Sequence, residues 1–429
     1  MNQNLRDVTT LVHGDILYTK SKNDLVCHPD SWMVIRDGIV ESILADKPEI
    51  ENSEVRDYGN QLILPVFTDL HFHSVQYAIR GLGLNKELLP WLQTYTFKEE
   101  TRFADVDYAE SIFKLLINEL WSIGSLNLCT FASLHLESTL RLMEMYDSNG
   151  FRAFVGKVNM DCNDDPSLLE TSQQSCEDTR YYIEESQKFK HVKPIITPRF
   201  APSCTPSLLS KLGEIANEYD LPVQSHLNET PGEIELVWEM FQDYEHYYDV
   251  YRKNGLTPKG KTIMAHCVHN TEPELIAMLE DQVYVAHCPT SNINLSSGIM
   301  PLRKMMDQGY NIGLGSDVAG GDRLFMGMAV ADAIRSSKIT AMISKGEVEP
   351  VTYVEAYYLA TVGGGSFFEN TGMFQEGYSA DYIVVEDACW PASKRYDLGE
   401  RLEQFLYLGG GDCITHRCMR GEILEKPYD

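Results

Sequence analysis

Basic residues are scarce in this chain: 36 lysines and arginines stand against 63 aspartates and glutamates, a formal net charge of -27. A field of that sign repels phosphate backbones, which argues against nucleic acid as partner and leaves a small, roughly neutral ligand as the compatible class. Long apolar runs are also missing. No stretch is long enough to span a bilayer, and the opening MNQNLRDVTT lacks the apolar core of an export signal, so a cytoplasmic protein with no membrane partner is expected. The ten cysteines contain no Cys-x-x-Cys pair; without an export signal they read as buried free thiols. There is no P-loop, and no G-x-G-x-x-G follows a strand-like run, so the nucleotide-phosphate cradles are absent.

What is present is a globular chain of 429 residues, 43% hydrophobic, long enough for one large domain with an appendage. Its first sixty residues and its last fifty read as strands and tight turns, with hairpin signals at Asp37-Gly38 and Arg420-Gly421. Between them strand and helix alternate. Eight β-like runs occur, LILPVFTDLHFH, LNLCTFASLH, FRAFVGKVNMD, HVKPIITPRF, LPVQSH, KTIMAH, QVYVAHC and NIGLGSD. Stretches such as DYAESIFKLLINELWSIG and TPSLLSKLGEIANEY separate them, with apolar residues at three- and four-residue spacing. The expectation is a (β/α)8 barrel over residues 63–372, with residues 1–62 and 373–429 forming a small β-sandwich from both termini.

Polar residues gather where these runs stop: His71 and His73, His135, Asp161, Arg199, His226, His266, His287 and Asp317. In such barrels the chemistry sits at the C-terminal strand ends. His71 and His73 are two apart, so a strand points both to one face. With His226 and Asp317 they make a donor set suited to Zn²⁺ with an open position for water; Fe²⁺ is compatible too. Water held there has its pKa lowered to roughly 7, and Asp317 can take its proton. His266 suits a further ligand or a group orienting that water; with four ligands at hand, the orienting role is expected. Glu229, three residues past His226, is placed either as a proton carrier or as a first-turn helix acid between the capping types Asn228 and Thr230. Arg199 can donate to a carbonyl oxygen, Phe200 can lie against a flat ring, and Gln76 can both donate to and accept from a heterocycle edge. Cys267 and Cys288 follow strand-end histidines and are given a packing role.

At this point a resemblance enters. HFHSVQY with RGLG (71–83), LLPWLQTYTFKEETRF (88–103), RAFVGKVNMD (152–161), ITPRFAPSC (196–204), VQSHLNET (223–230), MAHCVH (264–269), AHCPTSNINLSSG (286–298), GLGSDVAGG (313–321) and FLYLGG (405–410) together resemble the amidohydrolase superfamily. The likeness runs over nearly the whole chain, and the WLxTYTFxxExRF block and PRF are specific to its mononuclear, guanine-deaminating branch. The resemblance implies one zinc per subunit on His71, His73, His226 and Asp317. It implies Glu229 as proton shuttle, His266 as the group polarising the bound water, and Gln76, Arg199 and Phe200 at the purine. It implies hydrolysis of guanine at C2 by a metal-bound hydroxide to give xanthine and ammonia, in a homodimer. Two departures are local: Pro65-Val66 stands where Pro-Gly is usual, and Ser316 where threonine is common.

A dinuclear centre would need a bridging lysine at the fourth strand's end, which is Pro198-Arg199-Phe200, with Lys193 at the strand's start. The other zinc nucleobase-deaminase fold needs a P-C-x-x-C pair, absent here. The competing functions are deamination of another ring (8-oxoguanine, a triazine or a thioadenosine-type nucleoside) and a metal-free scaffold on an inactive barrel.

Overall fold

A computed structural model of the chain describes residues 9–162, 166–387, 390 and 396–429; most of the opening segment read for an export signal lies outside them. The chain starts with β1 (Thr9–Ser21), β2 (Asp24–Arg36), β3 (Ile39–Leu44) and β4 (Glu54–Pro65). The β2–β3 hairpin turns at Asp37 (φ 52°) and Gly38 (φ 80°). That left-handed pair is what a tight primed turn requires, and a Cβ on Gly38 would fall 2.4 Å from the Arg420 carbonyl oxygen.

Next come β5 (Phe67–His73), β6 (Ser125–Phe131), β7 (Arg152–Gly156), β8 (Val158–Asn159), β9 (Val192–Pro194), β10 (Thr197–Pro198), β11 (Val223–Leu227), β12 (Thr262–His266), β13 (Tyr284–His287) and β14 (Asn311–Leu314). The C-terminal part adds β15 (Tyr382–Val385), β16 (Ile414–Met419) and β17 (Glu422–Ile423). The terminal strands form one seven-stranded sheet in the order β17-β16-β15-β4-β1-β2-β3, so strands from both ends of the chain share it. A second hairpin, β16–β17, turns at Arg420 and Gly421, both left-handed.

The third and fourth expected strands are each broken in two. Pro194 and Pro198, which lack an N–H, punctuate the fourth; β10 pairs with β8 rather than continuing β9's pairing with β7. The remaining pairing is parallel throughout: β5-β6-β7-β9 in one four-stranded sheet and β11-β12-β13-β14 in another. An Ile196–Val223 bridge joins the two sheets on one side. On the other, the Asp317 N–H donates to the His71 carbonyl (2.8 Å) and the His73 N–H to that of Val318 (3.0 Å). A buried cluster of Leu70, Cys129, Ile195, Ile263, Ala265 and Ala286 draws on strands of both sheets.

Helices separate the strands for the reasons their sequences suggest. In Val106–Ser122, Asp105 caps the first turn and Ala109, Phe113, Leu116, Ile117 and Leu120 form the buried stripe. In Pro206–Glu218, Thr205 caps, Pro206 opens the helix, and Leu208, Leu209, Leu212 and Ile215 are buried. No helix among the described residues is long and apolar enough to cross a membrane.

Candidate active site

The parallel strands end together, and their last residues carry the polar groups. His71 and His73 end β5, His226 lies in β11, His266 ends β12, and Asp317 follows β14. Two of these positions depart from extended backbone: His266 has φ 71° and Asp317 φ 46°. Non-glycine residues take the left-handed region only under constraint; here it turns the chain out of the strand while the side chain stays on the common axis.

The four expected ligands converge. One atom each from His71, His73 and His226 lie within 4.8 Å of one another, and so do those of His71, His266, Cys288 and Asp317. His71 Nε2 is 3.1 Å and His73 Nε2 3.7 Å from Asp317 Oδ1. His73 Nε2 and His226 Nε2 face each other at 3.1 Å. His226 Nδ1 meets the Arg199 carbonyl at 2.5 Å; because a carbonyl only accepts, that nitrogen carries the hydrogen and Nε2 offers a bare lone pair. Nδ1 of His71 and Nδ1 of His73 have no hydrogen-bond partner. Buried imidazoles are normally satisfied, and Phe131 packs on all three rings with centroids 4.8–5.0 Å away. Three converging neutral nitrogens and a carboxylate are the donor set of a divalent metal, and the residues present fit one.

The electrostatics agree with that reading. Burial, with His71, Arg199 and His266 adding to it, holds His73 well below the usual imidazole range, and burial with the neighbouring histidines does the same for His226. Asp317 is pulled down to about 2: burial would raise it, but His71 and His266 outweigh that. Burial raises Glu229 to about 7. Its Oε1 accepts from the Ser297 hydroxyl at 2.9 Å and its Oε2 lies 3.5 Å from His266 Nε2. The first-turn helix acid is instead Glu233, whose carboxylate accepts from the Glu229 and Thr230 N–H groups in a capping box. Glu229 is thus free of the helix terminus and faces the cavity. His266 Nδ1 is engaged by Asn292 Oδ1 at 2.9 Å, so its Nε2 points at Glu229 and, 3.8 Å away, Asp317.

Gln76, Arg199 and Phe200 line the same cavity, an open cleft of about 400 Å³ that also borders His73, His226, Glu229, His266 and Asp317. Other strand-end residues lie elsewhere. Asp161 is taken up by Ser172 and Thr205; between β7 and β8, Lys157 pairs with Glu170. His287 is buried, and burial lowers it to about 3. His269 bonds the Ser297 carbonyl at 2.6 Å and so braces Glu229's partner. Cys288 is buried beside His71 and its thiol is raised well above the usual range by burial.

Sequence reasoning missed four features. The roof, formed by Leu88, Trp91 and Leu92, lay in a quoted block without a role. Glu100, Ser297 and Asn292 were passed over because each acts through a residue distant in sequence.

Comparison with known proteins follows the same line. A model of the Amidohydrolase family matches residues 62–424. The chain belongs to the amidohydrolase family. Among its relatives is a mouse protein named guanine deaminase, 38% identical over an alignment of 371 positions that covers 83% of this chain and 81% of that one. A Dictyostelium discoideum protein of the same name is 35% identical, covering 90% and 87%, and an Escherichia coli one 33%, covering 86% and 84%. A solved guanine deaminase from C. acetobutylicum with guanine bound in its active site is 40% identical and superposes with a TM-score of 0.95, over 97% of this chain and all of that one. A triazine hydrolase superposes at 0.81 with 16% identity, a likeness of fold alone.

Proposed function

We propose that the protein is a guanine deaminase, hydrolysing guanine to xanthine and ammonia. The observation that carries this is the convergence of His71, His73, His226 and Asp317 beside a cavity that is also lined by the buried carboxyl of Glu229. The relatives that share this chain's sequence over most of its length bear that activity in their names, and one holds guanine in its active site.

His71, His73, His226 and Asp317 would hold a single metal, Zn²⁺ by donor type with Fe²⁺ compatible. When bound, it supplies a Lewis acid that lowers the pKa of a water toward neutrality. The protein's own groups do the rest. Arg199 and Gln76 hold the purine's polar edge, and Phe200 and the roof flank the ring and exclude bulk water. Glu229 can pass one proton of the attacking water to the ring nitrogen beside C2, where it stays, and then pass the C2 hydroxyl proton of the tetrahedral intermediate to the departing amine as the C–N bond breaks and the carbonyl forms; a carboxylic acid near pH 7 serves in both directions. His266, fixed by Asn292, orients that water and borders Glu229. The parallel strands are read as one closed (β/α)8 barrel over residues 63–372, supported by the bonds joining β14's end to β5, and the two terminal segments, whose strands share one sheet, as a β-sandwich appendage. By resemblance the enzyme is a cytoplasmic homodimer.

A screen of purine and triazine amines for ammonia release, with and without a chelator, tests the reading. Guanine should be the preferred substrate and chelation should stop turnover. Release from a triazine or adenine with guanine inert would refute it.

A further inference from the structure

Glu100 is a buried carboxylate, 6% exposed, that the reaction above does not use. It ends a short helix, Phe97–Glu100, that follows the roof helix Leu88–Trp91 through a π-helical stretch, Leu92–Thr96. In an unbroken α-helix at about 100° per residue, positions nine apart face opposite ways. The wider π turn absorbs that mismatch, so that Trp91 lines the cavity while Glu100 reaches two other residues that line it.

Its two oxygens are divided between them. Oε1 accepts from Gln76 Nε2 at 2.9 Å, and Oε2 accepts from Nη1 of Arg199. On Gln76's other side the Ala319 N–H donates to Oε1 at 3.1 Å. A flipped amide would set donor against donor and acceptor against acceptor, so Gln76 has one orientation and keeps its second Nε2 hydrogen for the cavity. Arg199 is held on one edge by Glu100 and on its face by the Phe97 ring, 5.2 Å from its guanidinium carbon.

We propose that Glu100 is a positioning residue that sets the pocket's hydrogen-bonding character. It fixes Gln76 as a donor beside the arginine, so the pocket wall presents donors together and selects a ring edge of acceptors, a 6-oxopurine, over one bearing a 6-amino group. This rests on guanine being the substrate.

The test measures kcat and KM for guanine and for 2,6-diaminopurine, with metal content and Tm, in wild type, Glu100→Gln and Glu100→Asp. Glu100→Gln should raise the guanine KM about tenfold or more, the scale of one hydrogen bond to a charged group. It should leave kcat nearly unchanged and narrow the preference for guanine over 2,6-diaminopurine. Glu100→Asp keeps the charge beside Arg199, guarding against a failure to fold; one methylene shorter, it cannot span both partners and should shift KM and preference the same way. Unchanged KM and preference in both variants would overturn the proposal, as would a fall in Tm and metal content with preference intact. A wild type that releases no ammonia from guanine would instead sink the functional reading itself.

Discussion

Buried charge is treated in opposite ways at the two ends of the same strands. Where the strands begin, against the terminal sheet, Arg152, Asp381 and Arg401 are paired, although Arg420 Nη1 has no partner. Arg152 on β7 donates to Asn127, Ser379 and Asp381, and Asp381 also accepts from Thr371, Ser379 and the Arg420 N–H. Arg401 is shared among Asp15, Asp387 and the Asn60 carbonyl. Where the strands end, His71 Nδ1, His73 Nδ1 and Asp69 Oδ2 have no hydrogen-bond partner. A satisfied polar network fastens two parts of a fold; buried polar atoms without partners stay destabilising unless something else binds them. The contrast marks one end as a junction and the other as a site.

The sharpest way to break this contrast is to exchange one group at each end and ask which property falls. At the site, Glu229→Gln keeps the shape and removes the titrating acid, so turnover should drop about 10²- to 10⁴-fold with metal content and Tm unchanged. Near-normal ammonia release would remove Glu229 from proton transfer.

At the junction the expectation reverses. Asp381→Asn leaves the half-buried Arg152 without its counter-charge, and leaving such a charged donor unpaired costs about 1–3 kcal/mol. Urea unfolding should show that loss while kcat per folded molecule stays near wild type. A variant equally stable but slow would mean that the junction is tuned for catalysis rather than for holding the terminal sheet.

How far this contrast could be read in advance follows from distance along the chain. The histidine pair needed only the two-residue period of a strand, and the turns at Asp37-Gly38 and Arg420-Gly421 only their dipeptides. Helices such as Val106–Ser122 showed their stripe in plain sequence. The fourth strand was read as continuous because apolar character survives a proline while backbone pairing does not; the third breaks without one, at Lys157 between β7 and β8. Glu100 could not be singled out: its acid stands among Glu99, Glu100 and Arg102, and only the fold carries it to Gln76, 24 residues away, and Arg199, 99 residues away. Arg152 and Asp381, 229 residues apart, were invisible for the same reason. On its residues alone Glu229 was balanced between helix cap and acid; the resemblance favoured the acid, and Glu233 occupies the cap.

The smallest expected effect refines the junction through pH. Burial alone would raise the Asp381 carboxyl, but Arg152 on β7, the Arg420 N–H on the C-terminal hairpin and the Ser379 hydroxyl outweigh it and hold its pKa below the usual value. A carboxyl depressed in the folded state stabilises the fold fully above its unfolded pKa, about 3.9, and loses that contribution as pH falls through the folded value. The Tm advantage of wild type over Asp381→Asn should therefore be constant from pH 7 to about pH 5 and shrink steadily below pH 4. The comparison is a difference between two proteins with the same metal ligands, so protonation of those ligands in acid largely cancels. An advantage that persisted undiminished to pH 2 would mean that Asp381 contributes through packing and neutral hydrogen bonds, and the junction would then owe little to its ion pair.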